Sequence, residues 1–304
     1  MIYTTIQLSF LVFFSLSEAL WISFFPFEIH YEMKDYLVIG ILLACFFVPL
    51  VFYKLIRHDI RIVSLLETLF FTFAYAQLMI LFSFFAATTT QPLIDSTLVS
   101  IDNYFGIYVP IIDFWFREHE YFQWIFGQIY NSYFYQILFT ALYFSYYKND
   151  IQLKRYVNLF MISCALTIVI SGFFPALGPY DWYHYQPHPI LANALSHLLD
   201  LRQNIVDLGK QAGIVTFPSF HAIMAMIYIY TFRNENKFVF IPILILNFLM
   251  IFSCIPIGEH YFADILGAIP VFLVTIGIDN LIYKRIICEQ GQELNLKPAP
   301  FPTP

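Results

Sequence analysis

Charge is what this chain has least of. Only 12% of its 304 residues are Asp, Glu, Lys or Arg, while 60% are hydrophobic, and the mean hydropathy is +0.69. So little charge excludes a soluble domain and points to an integral membrane protein. Cysteine is scarce as well. Cys45, Cys164, Cys254 and Cys288 lie in or beside apolar runs without metal-ligand spacing, which excludes a disulfide framework and reads as small buried hydrophobes. Alternating ten-residue segments are missing, which excludes a membrane β-barrel. No Lys or Arg precedes Lys34, so the first segment lacks the basic start of a secretory signal and is expected to be an uncleaved helix. Internal repeats and a second soluble domain are also absent, and no nucleic-acid partner is expected.

What is present is a series of long apolar runs. About 20 such residues span the roughly 30 Å hydrocarbon core as a helix, and lipid tolerates few other backbones. The predicted fold is all-α, a polytopic bundle of about eight transmembrane helices. The spans are Ile6–Phe25, Tyr36–Ile56, Val63–Ala87, Phe122–Tyr146, Tyr156–Phe174, Ser219–Phe232, Phe238–Pro256 and Tyr261–Tyr283. Lys54, Arg57, Arg61, Lys148, Lys154, Arg155, Arg233, Lys237, Lys284, Arg285 and Lys297 fall on one side, and Lys34, Arg117, Arg202 and Lys210 on the other. The positive-inside rule then places both termini in the cytoplasm.

Two connections on the outer side are long. Residues 88–121 carry Asp95, Asp102, Asp113 and Phe114-Trp115-Phe116, an aromatic run suited to the headgroup level. Residues 175–216 are rich in rings and polar groups and are expected to cap a site as a structureless loop. The expected organisation is two additional helices in 1–62, a core in 63–288, and a disordered, Pro-rich cytoplasmic tail in 289–304.

The stretch from Val215 to Asp264 holds the chemistry. Phe217-Pro218-Ser219-Phe220-His221 opens one apolar run, the chain turns at Arg233–Lys237, and Gly258-Glu259-His260-Tyr261-Phe262-Ala263-Asp264 follows the return run. In and back again, the chain brings His221 and His260 to one face of the bilayer. His260 and Asp264 are four apart on an expected helix, so the carboxylate can fix one ring nitrogen and leave the other free as a nucleophile. His221 can protonate a leaving group. Ser219 and the amides of a helix start favour an anion. The cation for that anion is expected from Arg202, whose guanidinium matches phosphate oxygens, with Lys210 second.

These two stretches resemble the second and third signature motifs of the type 2 phosphatidic acid phosphatase superfamily. Pro218-Ser219-Phe220-His221 and His260-Tyr261-x-x-Asp264-x-x-Gly267 are most similar to its inositol phosphorylceramide synthase-like branch. The likeness extends back through Gly178-Pro179-Tyr180 to Asp102. It implies a six-helix core, here the last six spans, and metal-independent, cofactor-free chemistry on a lipid phosphate or phosphodiester. It also implies a phosphohistidine at His260, oriented by Asp264, with His221 protonating the leaving oxygen. Water or a sugar alcohol such as inositol would be the acceptor, at the outer face; with no organelle retention signal in the sequence, a bacterial inner membrane is the expected location. The chain departs from the wider superfamily at Cys254, where an Arg is usual, and lacks the first motif, so the phosphate cation falls to Arg202 or Lys210.

Other readings of single residues are blander. Glu18, Glu67 and Gln77 lie within predicted spans and would mark the path of a non-enzymatic transporter, although hydrogen bonding between helices is their commoner use. His184 and His188 have the spacing of a metal pair, but Pro187 argues against a helix there and favours interface anchoring. A metal-dependent hydrolase would need both of them together with His221 and His260.

Overall fold

A computed structural model of the chain describes residues 2–185, 189–210, 213–257 and 259–296. In chain order it contains α1 (Ile2–Phe24), β1 (Glu28–His30), α2 (Met33–Phe52), α3 (Ile60–Ala87), α4 (Asp95–Tyr104), α5 (Val109–Glu118), α6 (Glu120–Tyr130) and α7 (Ser132–Tyr146). Then follow α8 (Asp150–Phe173), α9 (Pro179–Trp182), α10 (Pro189–Leu201), β2 (Ile205–Asp207), α11 (Phe220–Phe232), α12 (Lys237–Ser253) and α13 (Phe262–Leu296). The chain is an all-α membrane bundle. Helices α1, α2, α3, α8 and α13 contain segments long and apolar enough to cross a bilayer, and α11 and α12 are shorter apolar helices. Leu8, Val12, Phe13, Leu37, Val38 and Ile41 stand exposed on α1 and α2, as lipid-facing side chains would.

The main core joins Phe71, Tyr75 and Met79 of α3, Phe144 of α7, Tyr156 and Leu159 of α8, Ala222 to Ala225 and Tyr228 of α11, Met250 of α12 and Ala268 of α13. Polar side chains fix the helix starts. Asp59 accepts from the Arg61 amide, Asn149 from Gln152 and Asn236 from Phe238, each satisfying a donor that the helix itself leaves free.

The two ends of the bundle are held differently. At the end carrying the basic loops, Ser64 donates to Asp150, Lys154 pairs with Asp150 at 2.6 Å, and the Gln152 side-chain Nε2 donates to the Thr231 carbonyl. Arg155 is buried there against Asp279 at 2.7 Å, with Asn280 and the Tyr283 ring around it. At the opposite end, the Asp95 carboxylate accepts from the Leu177 and Gly178 amides and from the Tyr261 hydroxyl. β1 pairs in parallel with β2, Ile29 opposite Val206, which ties the link between α1 and α2 to the second long connection.

Four expectations need adjustment. The predicted span Phe122–Tyr146 is two helices, α6 and α7, which meet at Asn131, whose side chain and backbone amide both donate to the Gly127 carbonyl. α6 then packs on α12 while α7 packs on α3 and α8. The second long connection is not structureless, since 175–216 contains α9, α10 and β2, while 88–121 carries α4 and α5. The sixth span begins at Phe220 with no helical extension ahead of Pro218. α13 runs to Leu296, so 289–296 of the expected tail is helical, while 297–304 lies outside the described residues.

Candidate active site

Four elements converge at the end of the bundle remote from the basic loops: the starts of α11 and α13, the joint between α6 and α7, and α4. Ser219 caps α11, its hydroxyl accepting from the Ala222 amide at 3.4 Å. The Phe220 and His221 amides, first in that helix, find no partner among the described residues. The Ser219 amide donates to the Asp264 carbonyl at 3.1 Å, which pins the two motifs together.

The start of α13 is built differently. Asp264 reaches back so that Oδ2 accepts from the Tyr261 amide at 2.9 Å, a reciprocal cap closed by the Asp264 amide on the Tyr261 carbonyl. Asp102 of α4 takes the next two amides, Phe262 at 3.1 Å and Ala263 at 2.8 Å. Burial pushes the Asp102 carboxyl up, against the pull of those two amides. Burial and the neighbouring Asp95 hold the Tyr261 phenol above its ordinary range, so it serves Asp95 as a donor.

His260 therefore precedes the helix, contrary to the expectation that it shares a helical face with Asp264. The pairing forms all the same: His260 Nδ1 lies 3.1 Å from Asp264 Oδ2, with both side chains buried. The other Asp264 oxygen is buried without a partner among the described residues. His260 Nε2 faces the Tyr130 hydroxyl at 3.4 Å. His221 lies flat on the Tyr130 ring, centroids 3.7 Å apart, and meets the edge of Tyr133 at 5.0 Å. The His221 and His260 ring centroids are 6.3 Å apart. Tyr130 sits at the break between α6 and α7, donates to Glu259 Oε2 at 2.5 Å, and escaped the sequence reading because it lies inside an apolar run.

Cys254 occupies the position where the wider superfamily has Arg. It is fully buried, with its Sγ 3.7 Å from the Ser219 hydroxyl. Neither basic residue expected to replace that Arg bonds to the histidines or to Ser219 among the described residues. Arg202 donates to the Gln91 carbonyl, and Lys210 pairs with Asp200 at 3.0 Å. Ser219 is turned into its helix cap, which leaves the Phe220 and His221 amides as the unpartnered donors at this helix start among the described residues. His184 is exposed on the second connection and His188 lies outside the described residues. Among the described residues, no group of three His, Cys, Asp or Glu is gathered in metal-binding fashion. Glu67 pairs with Lys54 at the basic end, and Glu18 is buried with one oxygen unpartnered. An open cavity of about 540 Å³ between Tyr143, Lys148 and Glu235 is also at the basic end and forms no part of this site.

A family model described as the PAP2 superfamily matches residues 96–278, more than half of the chain, from within α4 to about the middle of α13. α1, α2 and α3 lie outside the match. No curated protein and no solved structure matches the chain.

Proposed function

The chain belongs to the PAP2 superfamily, a group of phosphatases and phosphotransferases, and on that premise we propose a metal-independent lipid phosphohydrolase or phosphotransferase acting through a phosphohistidine. The observation that carries this reading is the 6.3 Å separation of His221 and His260, with Nδ1 of the latter held by Asp264. A phosphorus atom and its leaving oxygen fit between the two rings at near-attack distances of about 3–3.5 Å.

The phosphate oxygens take the Phe220 and His221 amides, in a helix start whose dipole favours negative charge. His260 Nε2 attacks phosphorus, the bond to the leaving oxygen breaks, and His221 supplies that oxygen with a proton. His221, now neutral, draws a proton from the acceptor as the acceptor oxygen displaces the phosphoryl group from Nε2. Placement and charge stabilisation supply most of the acceleration, as is usual in phosphoryl transfer. Arg202 and Lys210 remain proposed phosphate cations only if substrate draws their loop inward. The site faces the periplasmic or lumenal side in this reading, and a bacterial inner membrane is the proposed location.

Trapping tests the mechanism. Detergent-solubilised protein given a lipid labelled at phosphorus should carry label on His260, lose it in His260→Ala, and turn over in EDTA. Label on another residue, or loss of turnover in EDTA, would reject this chemistry. The form of the two motifs favours a second version, an inositol phosphorylceramide synthase-type transferase. Release of phosphate from phosphatidic acid that does not depend on an alcohol would dismiss it. A transporter using Glu18 and Glu67 predicts that Glu67→Gln abolishes function and His260→Ala does not; the enzyme predicts the reverse.

A further inference from the structure

The attacking nitrogen of His260 must be free of its proton, and the groups around it give that proton a destination. Nδ1 donates to Asp264, so its proton is committed there. Nε2 meets the Tyr130 hydroxyl, and the same hydroxyl meets Glu259 Oε2. A phenol has one proton, so the three groups in line admit two proton arrangements. In one, Nε2–H donates to the Tyr130 oxygen and the phenol donates to an ionised Glu259. In the other, a protonated Glu259 donates to the phenol oxygen, the phenol donates to Nε2, and the imidazole is neutral. The two differ by moving two protons one place each, with no change in the number bound.

We propose that Tyr130 and Glu259 form a proton relay that takes the Nε2 proton from His260 before attack and returns it afterwards. This rests on His260 being the nucleophile. In the forward step the Nε2–H bond breaks, a new O–H bond forms on Tyr130, and the former phenol proton passes to the Glu259 carboxylate. Rotation of the phenol away from Nε2 then exposes the lone pair to phosphorus. The stack on His221 also brings the Tyr130 ring against the proposed acid. Tyr130 is the last residue of α6, at the break marked by Asn131, where its side chain meets both groups. Other titratable groups face this cluster: Asp264 from α13, His221 from α11, Tyr133 from α7, Asp102 from α4, and Cys254 from the end of α12. Of these, none bonds to both Nε2 and a further proton acceptor.

The test compares wild type with Tyr130→Phe, Glu259→Gln and the double variant, each checked for an unchanged gel-filtration profile in detergent. Each single variant should lower kcat about a hundredfold, the order general acid-base groups supply. The double variant should be no worse than the poorer single one, since both remove the same relay. In Glu259→Gln the acidic limb of kcat/KM should also move to lower pH, because a carboxylate that favours the charged imidazole is gone. Multiplicative losses with a limb that stays in place would overturn the relay. If wild type carries label on His260 while both variants match it in rate and pH profile, the relay fails and the enzyme stands; if wild type never labels His260, the enzyme reading itself fails. Should a variant misfold, nitrogen-15 histidine spectra of wild type decide: a hydrogen-bonded Nε2 is expected, and a bare one would overturn the proposal.

Discussion

The Phe217 ring fills the space that a side chain on residue 267 would need. A Cβ added to Gly267 would lie 2.5 Å from Phe217 Cε2 and 2.8 Å from Cζ. This contact explains the glycine in the third motif, since α13 must pass against the segment that leads into Ser219. Gly267→Ala gains about 1 kcal/mol of helix propensity, but overpacking costs about 1–3 kcal/mol. The net effect should be a lower melting temperature in detergent. Displacement of Phe217 should also cut turnover at least tenfold, given that misplacements near 1 Å can cost about a hundredfold. Adding Phe217→Leu should recover both, and no recovery would show that the ring is not the obstacle.

Asp102 acts on the proposed nucleophile, His260, from a distance. Its carboxylate holds the first two amides of α13, and hydrogen bonds to a charged group are worth about 1.5–3 kcal/mol each. Asp102→Ala should let the first turn of α13 fray while Asp264 stays on its own helix. Hydrogen exchange over residues 259–266 should accelerate, and turnover should fall with it. Unchanged exchange would remove Asp102 from the site.

The second long connection should loosen in acid. His197 of α10 is fully buried beside Phe84, and neither ring nitrogen has a partner among the described residues. Burial pushes it below its ordinary value of 6.5, Lys210 adds to that, and Asp207 and Asp200 oppose it. A histidine lowered on folding binds more protons when the segment opens, so its stabilising share is complete above pH 6.5 and lost as pH falls from there towards the lowered value. Exchange over residues 195–208 should rise between pH 7 and pH 5. His197→Phe should flatten that rise, because an apolar ring leaves no buried nitrogen to charge.

At the other end of the bundle, Arg155 and Asp279 should be inseparable. Removing one partner of a buried pair costs about 3–5 kcal/mol, whereas replacing both with apolar groups is often neutral. Asp279→Asn should therefore destabilise the detergent-solubilised protein more than Arg155→Met with Asp279→Leu. The opposite order would show that the charge itself is required.

Apolar runs and their basic flanks were enough to read the membrane bundle and the return of the chain that sets His221 near His260. The spacing of His260 and Asp264 also announced their contact, although the contact is made across a helix start and not along a helical face. Tyr130 was illegible because an aromatic in an apolar run looks like lipid-facing surface, and only the break at Asn131 gives it another role. Arg202 and Lys210 were chosen by charge and nearness along the chain. Sequence does not reveal that the Gln91 carbonyl and Asp200 engage them first.

The short ladder between residues 28–30 and 205–207 gives the leading helices a hold on the second long connection. Helices α1 and α2 expose much of their surface to lipid, so bilayer thickness and lateral pressure act on them directly. A shift of that pair would pull on residues 205–207, which makes the composition of the surrounding lipid a variable in where that connection sits.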